Sequence, residues 1–223
     1  MDSNLFLQAI KKFIIGLILI AALLFIPAGT LNYPNGWLFI CLLFIPMIIV
    51  GIILIIKDQN LLKKRLNAKE NESTQKAVLL VSGVMFISSF AIAGLNFRFN
   101  WSTLPDIIVI AASIVFLVGY VMYMEVLREN KYLARTVEVE KNQQVIDSGL
   151  YGMVRHPMYT STVLLFLTMP LILNSIYSFI ICLIYPIIIL VRIKNEEQVL
   201  EKELKGYSAY KEKVKYKLIP FIL

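Results

Sequence analysis

Four long apolar runs constrain the fold of this chain more than any other feature of its sequence. They cover residues 13–31, 37–56, 77–95 and 107–126. Each run has about 20 residues, the length that an α-helix needs to cross the hydrocarbon core of a bilayer. The sequence therefore predicts an all-α polytopic membrane protein in which these four runs are transmembrane helices. The mean hydropathy of +0.73 agrees with that class.

Two shorter apolar segments, residues 160–173 and 176–191, follow later in the chain and are separated by Asn174 and Ser175. Each is short for a complete crossing, so we expect a C-terminal helical hairpin that reaches into or through the membrane. The expected organisation is an N-terminal region of transmembrane helices, residues 1–126, and a second region, residues 127–223.

A charged helix should continue from the hairpin and stop near Gly206. Leu200, Leu204 and Tyr207 have the spacing of one apolar helical stripe, so we expect an amphipathic C-terminal helix.

Two polar segments remain. Residues 57–76 form either a short interfacial helix or a solvated loop. In residues 136–146 valines alternate with polar residues, which favours extended backbone.

The basic residues lie almost entirely on one side of this predicted topology. With four crossings and a hairpin, 21 of the 22 lysines and arginines share one face, and Arg98 lies opposite. Because cytoplasmic loops are enriched in Lys and Arg, we expect both termini in the cytoplasm and an integral protein of a bacterial plasma membrane. The basic residues flank apolar runs, so the net charge of +7 indicates contact with anionic lipid and not with nucleic acid.

The sequence offers little for a metal site or a nucleotide-binding fold. Its one histidine, His156, and two distant cysteines, Cys41 and Cys182, form no ligand cluster, so we expect no metal. The chain also lacks the Gly-x-Gly-x-x-Gly and Walker-type loops that mark Rossmann and P-loop sites.

Two sets of polar residues should meet at the cytoplasmic face, because the hairpin returns the chain to that face. They are Tyr151, Arg155, His156 and Tyr159 in the first set, and Arg192, Glu196 and Glu197 in the second. An arginine there can hold a carboxylate or phosphate, and a carboxylate beside it can orient a ligand or accept a proton. The alternative is structural: the first set anchors a helix at the headgroups, and Arg192 and Glu196 form a surface pair.

Four sequence blocks, in order, resemble the superfamily of isoprenylcysteine carboxyl methyltransferases and phospholipid methyltransferases. They are Ser148-Gly149-Leu150-Tyr151, Arg155-His156-Pro157-Met158-Tyr159, Arg192 with Glu196-Glu197-x-x-Leu200, and Gly206-Tyr207 with Tyr210, Val214 and Ile219-Pro220. The resemblance extends over about residues 125–222. Members of this superfamily are integral membrane enzymes that use S-adenosylmethionine without a Rossmann domain.

The resemblance implies roles for the residues in and beside these blocks. S-adenosylmethionine would be enclosed by Gln143, Gln144, Val145, Ile146, Tyr151, His156, Pro157, Met158 and Tyr159. Glu196 would bind the amino acid end of this cofactor, and Arg192 would face the methyl acceptor, so these two are the candidate catalytic residues. The acceptor would be a lipid or lipid-modified molecule from the bilayer, and the main task of the enzyme would be its alignment with the methyl group.

The residues leave the acceptor open. A prenylated-cysteine carboxylate, which the resemblance favours, is already a nucleophile and needs no base. A phospholipid amine must lose a proton, to Glu197, a tyrosine or water. A non-catalytic scaffold or a transporter is the alternative of a different class. Against it, the four apolar runs carry no charged residue away from their ends, where a transport pathway usually needs one.

Overall fold

The computed structural model describes residues 3–67, 73–134, 136 and 139–222, and all regular secondary structure within them is helical. A short 3₁₀ helix spans Gly149–Gly152. The α-helices are α1 (Ser3–Ala28), α2 (Pro34–Lys57), α3 (Gln59–Leu66), α4 (Ser73–Phe99), α5 (Asp106–Glu129), α6 (Pro157–Ile172), α7 (Ile176–Cys182), α8 (Tyr185–Glu203) and α9 (Tyr207–Lys213). The all-α architecture predicted from the sequence is confirmed.

Five helical segments in the described residues are long and apolar enough to cross a membrane. Four are the predicted crossings, and the fifth is Ile176–Glu203, where α7 and α8 follow each other with only a two-residue break. Large apolar side chains such as Ile18, Ile52 and Leu80 point outward from the bundle. A soluble protein would cover such side chains, whereas lipid solvates them, so this is an integral membrane protein.

The predicted hairpin is present as α6 followed by α7 and α8. Pro157 begins α6, where its fixed φ suits the first helical position and its missing N–H costs nothing. The chain reverses at Asn174, whose φ of 58° is left-handed. Ser175 then caps α7 by accepting a hydrogen bond from N of Ser178. The first helix of the hairpin, α6, has 16 residues and is about 24 Å long, so it is shorter than α7 and α8 together.

Hydrogen bonds join the turn of the hairpin to the loops at one end of the bundle. The Tyr33 hydroxyl, between α1 and α2, donates to O of Leu173 at 2.6 Å. The Asn96 side chain, at the end of α4, donates to O of Asn174 at 3.0 Å. The loop between α1 and α2, the loop between α4 and α5 and the turn of the hairpin therefore lie at the same end of the bundle, as four crossings and a hairpin require.

The segment after α2 is a short helix rather than a loop as far as Leu66. Asp58 caps α3 by accepting from N of Leu61, and both Leu61 and Leu62 are buried. Arg65 extends from α3 and donates to the Tyr123 hydroxyl at 2.7 Å and to O of Ala134 at 3.1 Å. This helix thereby contacts the chain beyond α5. The rest of the predicted loop, residues 68–72, lies outside the described residues.

Two predictions for the polar segments need correction. Leu200, Leu204 and Tyr207 do form one apolar cluster, but α8 ends at Glu203 and the cluster closes across a turn. Gly206 makes that turn with a φ of 90°, a value that favours glycine. Residues 139–146 form turns and irregular backbone rather than a strand, and residues 137 and 138 of the same segment lie outside the described residues.

Candidate active site at the membrane surface

A cavity of about 110 Å³ lies where the start of α6, the polar end of α8, α9 and the chain between α5 and α6 meet. Ten of the eleven site residues predicted from the sequence line it. They are Gln143, Gln144, Val145, Ile146, Tyr151, His156, Met158, Tyr159, Arg192 and Glu196. Pro157 does not line the cavity. Its buried ring starts α6 and so fixes the position of the residues on either side.

The hydroxyl of Tyr159 connects the two candidate catalytic residues. It accepts a hydrogen bond from Nε of Arg192 at 2.8 Å and donates one to Oε2 of Glu196. The guanidinium of Arg192 also lies over the Tyr159 ring, 5.8 Å from its centroid. Because Arg192 and Glu196 are four residues apart on α8, one tyrosine from α6 reaches both. The result is a cation, a hydroxyl and a carboxylate on one wall of the cavity.

Beside this wall lies a second, buried charge cluster, of which Arg155 and His156 line the cavity and Glu197 does not. Nε of Arg155 donates to Oε1 of Glu197 at 2.8 Å, and Nε2 of His156 lies 3.1 Å from the same oxygen. All three side chains are buried. Arg155 also donates from Nη1 to O of Val214 and O of Lys215. Glu197 is thus occupied by structural contacts and is absent from the cavity lining, so it is poorly placed to act as a base for a bound acceptor.

The turn that carries Tyr151 shows why a glycine occurs in the first sequence block. Gly149 has a φ of 55°, and a Cβ there would lie 1.5 Å from Oε1 of Glu129. That carboxylate accepts from N of Leu150 and so caps the 3₁₀ helix. The Tyr151 hydroxyl accepts from Nδ2 of Asn130 at 2.9 Å. Glycine at position 149 therefore allows the close approach that holds Tyr151 at the cavity.

Two tyrosines of α9 line the cavity, and the sequence prediction of the site did not include them. The Tyr210 hydroxyl donates to O of Tyr151 at 2.7 Å. The Tyr207 hydroxyl is buried, and no described residue offers it a hydrogen-bond partner. Burial raises the pKa of both phenols above the usual range, so both remain protonated donors near neutral pH. A buried, unpartnered donor at a cavity indicates a missing acceptor, and a bound ligand would supply one.

Other residues that were given no binding role also line the cavity. They are Asn130, Tyr132, Leu133, Ala134, Thr136, Arg155, Leu200 and Leu204. Arg155 and Leu200 stand in the second and third blocks, and Tyr207 and Tyr210 stand in the fourth, so these four carried a signal. The rest of the lining residues without a predicted role lie outside the blocks.

Comparison with known proteins agrees with the sequence blocks. The family model for phospholipid methyltransferase matches residues 107–206, which include the first three blocks. The Delta(14)-sterol reductase TM7SF2 of Mus musculus is 28% identical over 90 residues, which is 39% of this chain and 22% of the reductase. The chain therefore spans about a fifth of the length of that relative.

The family match and the first three blocks identify the same part of the chain, and that part supplies most of the residues that line the cavity. The predicted resemblance is confirmed over residues 107–206, which match the model of phospholipid methyltransferase, a family of the superfamily of isoprenylcysteine carboxyl methyltransferases and phospholipid methyltransferases.

Proposed function

We propose that this protein is an S-adenosylmethionine-dependent methyltransferase that acts on a lipid or lipid-modified acceptor at the cytoplasmic face of its membrane. One observation carries the proposal: a cavity at the polar end of the transmembrane bundle is lined by ten of the eleven residues predicted for such a site. A polar cofactor reaches this end from water, and an acceptor with an apolar tail reaches it from lipid.

The chemistry of the lining supports S-adenosylmethionine as the cofactor. Glu196 supplies a carboxylate for the cationic amino acid end, and the tyrosine rings offer faces for the adenine and for the sulfonium charge. Gln143 and Gln144 are amides suited to the hydrogen-bonding edge of a base or to ribose hydroxyls. The unpartnered Tyr207 hydroxyl would donate to one of the cofactor's acceptors. These donors and acceptors fit a molecule that is part nucleoside and part amino acid.

The residues of the wall would mainly align the two reactants. The bound cofactor supplies an electrophilic methyl group, whose carbon bonds to the acceptor as the carbon–sulfur bond breaks and its electron pair stays on sulfur. Tyr159 holds Glu196 and Arg192 in fixed positions, which keeps the carboxylate toward the cofactor and the guanidinium toward an anionic acceptor. Such alignment contributes through proximity rather than acid–base chemistry.

A carboxylate acceptor is favoured by the resemblance and needs no base. A phospholipid amine is the second candidate, and the description of the matching family favours it. The amine must lose a proton before it can accept the methyl group. Glu197 is poorly placed to take that proton, because its carboxylate already contacts Arg155 and His156. The proton would then pass to Glu196, a cavity tyrosine or water.

A membrane extract incubated with purified protein and methyl-labelled S-adenosylmethionine tests the proposal. We expect label in the lipid-soluble fraction. Mild alkali releases volatile methanol from a methyl ester and leaves an N-methyl amine intact, so the treatment separates the two acceptors. Protein denatured by heat before the incubation is the inactive control. Absence of protein-dependent label in any lipid or lipidated peptide would contradict methyl transfer.

A reductase is a candidate of another class, favoured by the similarity to Delta(14)-sterol reductase. Such an enzyme needs a hydride donor. Calorimetry with S-adenosylhomocysteine and with NADPH distinguishes the two: we expect heat of binding with the first and none with the second. The reverse result would favour reduction.

A further inference from the structure

We infer that residues 214–222, the tail segment, lie against the bilayer and bind anionic phospholipid headgroups, and that this contact holds one wall of the cavity in place. The tail segment follows α9 and ends the described chain. Its exposed side chains take no part in the site described above. The evidence is its position, its exposed apolar side chains, its charge and its connection to the cavity.

Backbone hydrogen bonds fix the tail segment beside the start of α6. N of Arg155 donates to O of Tyr216, and N of His156 donates to O of Lys217, both at 2.9 Å. The Thr160 hydroxyl donates to O of Leu218 at 2.7 Å. Because α6 enters the apolar layer directly after His156, these bonds hold the tail segment at the level of the membrane surface.

The end of the tail segment exposes large apolar side chains at that level. Phe221 is 87% exposed, Ile222 is 78% exposed and Ile219 is 45% exposed. Met153, 57% exposed, lines the same shallow groove as Phe221. In water such a patch would be unfavourable, whereas the headgroup–acyl boundary of a bilayer accommodates it.

Lysines next to this patch favour lipids with anionic headgroups. Lys215 and Lys217 alternate with Val214 and Tyr216, and Lys215 is exposed. Lys213, at the end of α9, is also exposed but pairs with Asp147 at 2.7 Å. Lys213 and Lys215 line the groove with Met153 and Phe221. Basic residues beside inserted apolar side chains bind an anionic surface more strongly than a neutral one. A membrane with phosphatidylglycerol-type headgroups is therefore the partner that this surface fits.

The tail segment is also joined to the wall of the cavity. Val214 packs in one buried cluster with Tyr207, Tyr210 and Leu204, three residues that line the cavity. The Arg155 side chain binds the carbonyls of Val214 and Lys215 from the other side. Anchoring the tail segment in lipid would therefore restrict the motion of α9 and stabilise the closed cavity.

Fluorescence quenching in nanodiscs tests the location without reference to enzymatic activity. The exposed cysteine is removed by Cys41→Ser, and Cys182 is buried. A nitrobenzoxadiazole label on Ile222→Cys is compared with one on Glu212→Cys, an exposed position on α9. In nanodiscs of phosphatidylcholine and phosphatidylglycerol, we expect doxyl-lipid to quench the label at 222 and aqueous iodide to quench the label at 212. Equal iodide quenching at both positions would overturn the inference.

Lipid composition tests the charge. In nanodiscs of phosphatidylcholine alone, we expect iodide quenching at position 222 to rise, and Lys215→Gln with Lys217→Gln should raise it in the anionic nanodiscs as well. Quenching that is the same in both lipids would overturn the preference for anionic headgroups.

A third measurement tests the connection to the cavity, and it rests on the proposed function. The variant with Phe221→Ser and Ile222→Ser keeps the backbone bonds of the tail segment. In anionic nanodiscs its affinity for S-adenosylhomocysteine should fall by about fivefold, a difference of about 1 kcal/mol. An unchanged affinity would overturn the connection. If the wild-type protein fails to bind S-adenosylhomocysteine at all, the proposed function fails, while the quenching result still decides the location.

Discussion

Nε of Arg192 donates a hydrogen bond to the hydroxyl of Tyr159 over 2.8 Å. The same hydroxyl donates to Glu196, so one buried phenol positions both charged residues of the proposed site. The side-chain positions of Arg192 and Glu196 are therefore held by these hydrogen bonds as well as by their rotamer preferences. Fixed charges at a cavity align bound reactants better than mobile ones, because less orientational freedom is lost when the ligand binds.

Removing the hydroxyl of Tyr159 should therefore impair the site without unfolding the protein. We expect Tyr159→Phe to slow methyl transfer about tenfold or more and to weaken S-adenosylhomocysteine binding, since one or two hydrogen bonds are lost. Tyr185→Phe is the matched control, because Tyr185 is equally buried and absent from the cavity lining. Similar rates for the two variants would show that the bridge is structural only.

Conservative variants of Arg192 and Glu196 should affect different properties, the rate of methyl transfer for Arg192 and the binding of S-adenosylhomocysteine for Glu196. Glu196→Gln should raise the dissociation constant of S-adenosylhomocysteine, because in the proposed site it removes the charge assigned to the cofactor. Arg192→Lys keeps a charge but loses the planar fork, so it should leave this constant nearly intact and slow methyl transfer about tenfold. Calorimetry and single-turnover rates measure the two effects. Equal losses of binding would mean that the residues act as one unit through Tyr159.

The neighbouring glutamates provide a sharper contrast between binding and stability. Glu197 is buried against Arg155 and His156, whereas Glu196 lines the cavity. Glu197→Gln leaves a buried guanidinium without its counter-charge, which costs about 3–5 kcal/mol. We expect a clear fall in thermal stability for Glu197→Gln and a small one for Glu196→Gln. Thermal unfolding of both variants without ligand measures this, and the opposite order would refute the assignment.

Most of the predicted residues that line the cavity occur in contiguous blocks with recognisable spacing, and the resemblance identified them for that reason. His156, Met158 and Tyr159 follow one another at the start of α6. Arg155 and Glu197 also stand in the blocks, but their pairing had no signal of its own, because it depends on how α6 and α8 face each other. Position in a block also does not fix a role, since Pro157 starts a helix rather than lining the cavity.

The fold was predictable to a similar degree and for a physical reason. Bilayer thickness fixes the length of a crossing helix, so the four apolar runs predicted the presence of α1, α2, α4 and α5, although α1 begins ten residues before its predicted start. The polar segments are not under that constraint. The stripe of Leu200, Leu204 and Tyr207 followed a helical period, but the left-handed Gly206 divides it between α8 and α9.

The topology is testable with single cysteines in a Cys41→Ser background. Because α3, the segment after α5 and α9 are at one end of the bundle, cysteines at Lys64, Lys141 and Lys211 should be labelled from the same side. We expect that side to be the cytoplasm. A cysteine at Asn100, between α4 and α5, should be labelled from the other side. Labelling of Lys64 and Lys141 from opposite sides would contradict the four-crossing arrangement.

The two tyrosines of α9 give the most direct test of ligand binding. The Tyr207 hydroxyl has no partner among the described residues, and burying such a group costs about 1–3 kcal/mol. Tyr207→Phe should therefore raise the melting temperature of the protein without ligand and weaken binding of S-adenosylhomocysteine.

Tyr210→Phe is the matched comparison, because it loses the hydrogen bond to O of Tyr151. It should lower the melting temperature by an amount that corresponds to about 1 kcal/mol. The two variants thus shift stability in opposite directions. If Tyr207→Phe also destabilises the protein and leaves S-adenosylhomocysteine affinity unchanged, its hydroxyl has a structural partner and the inferred ligand contact is wrong.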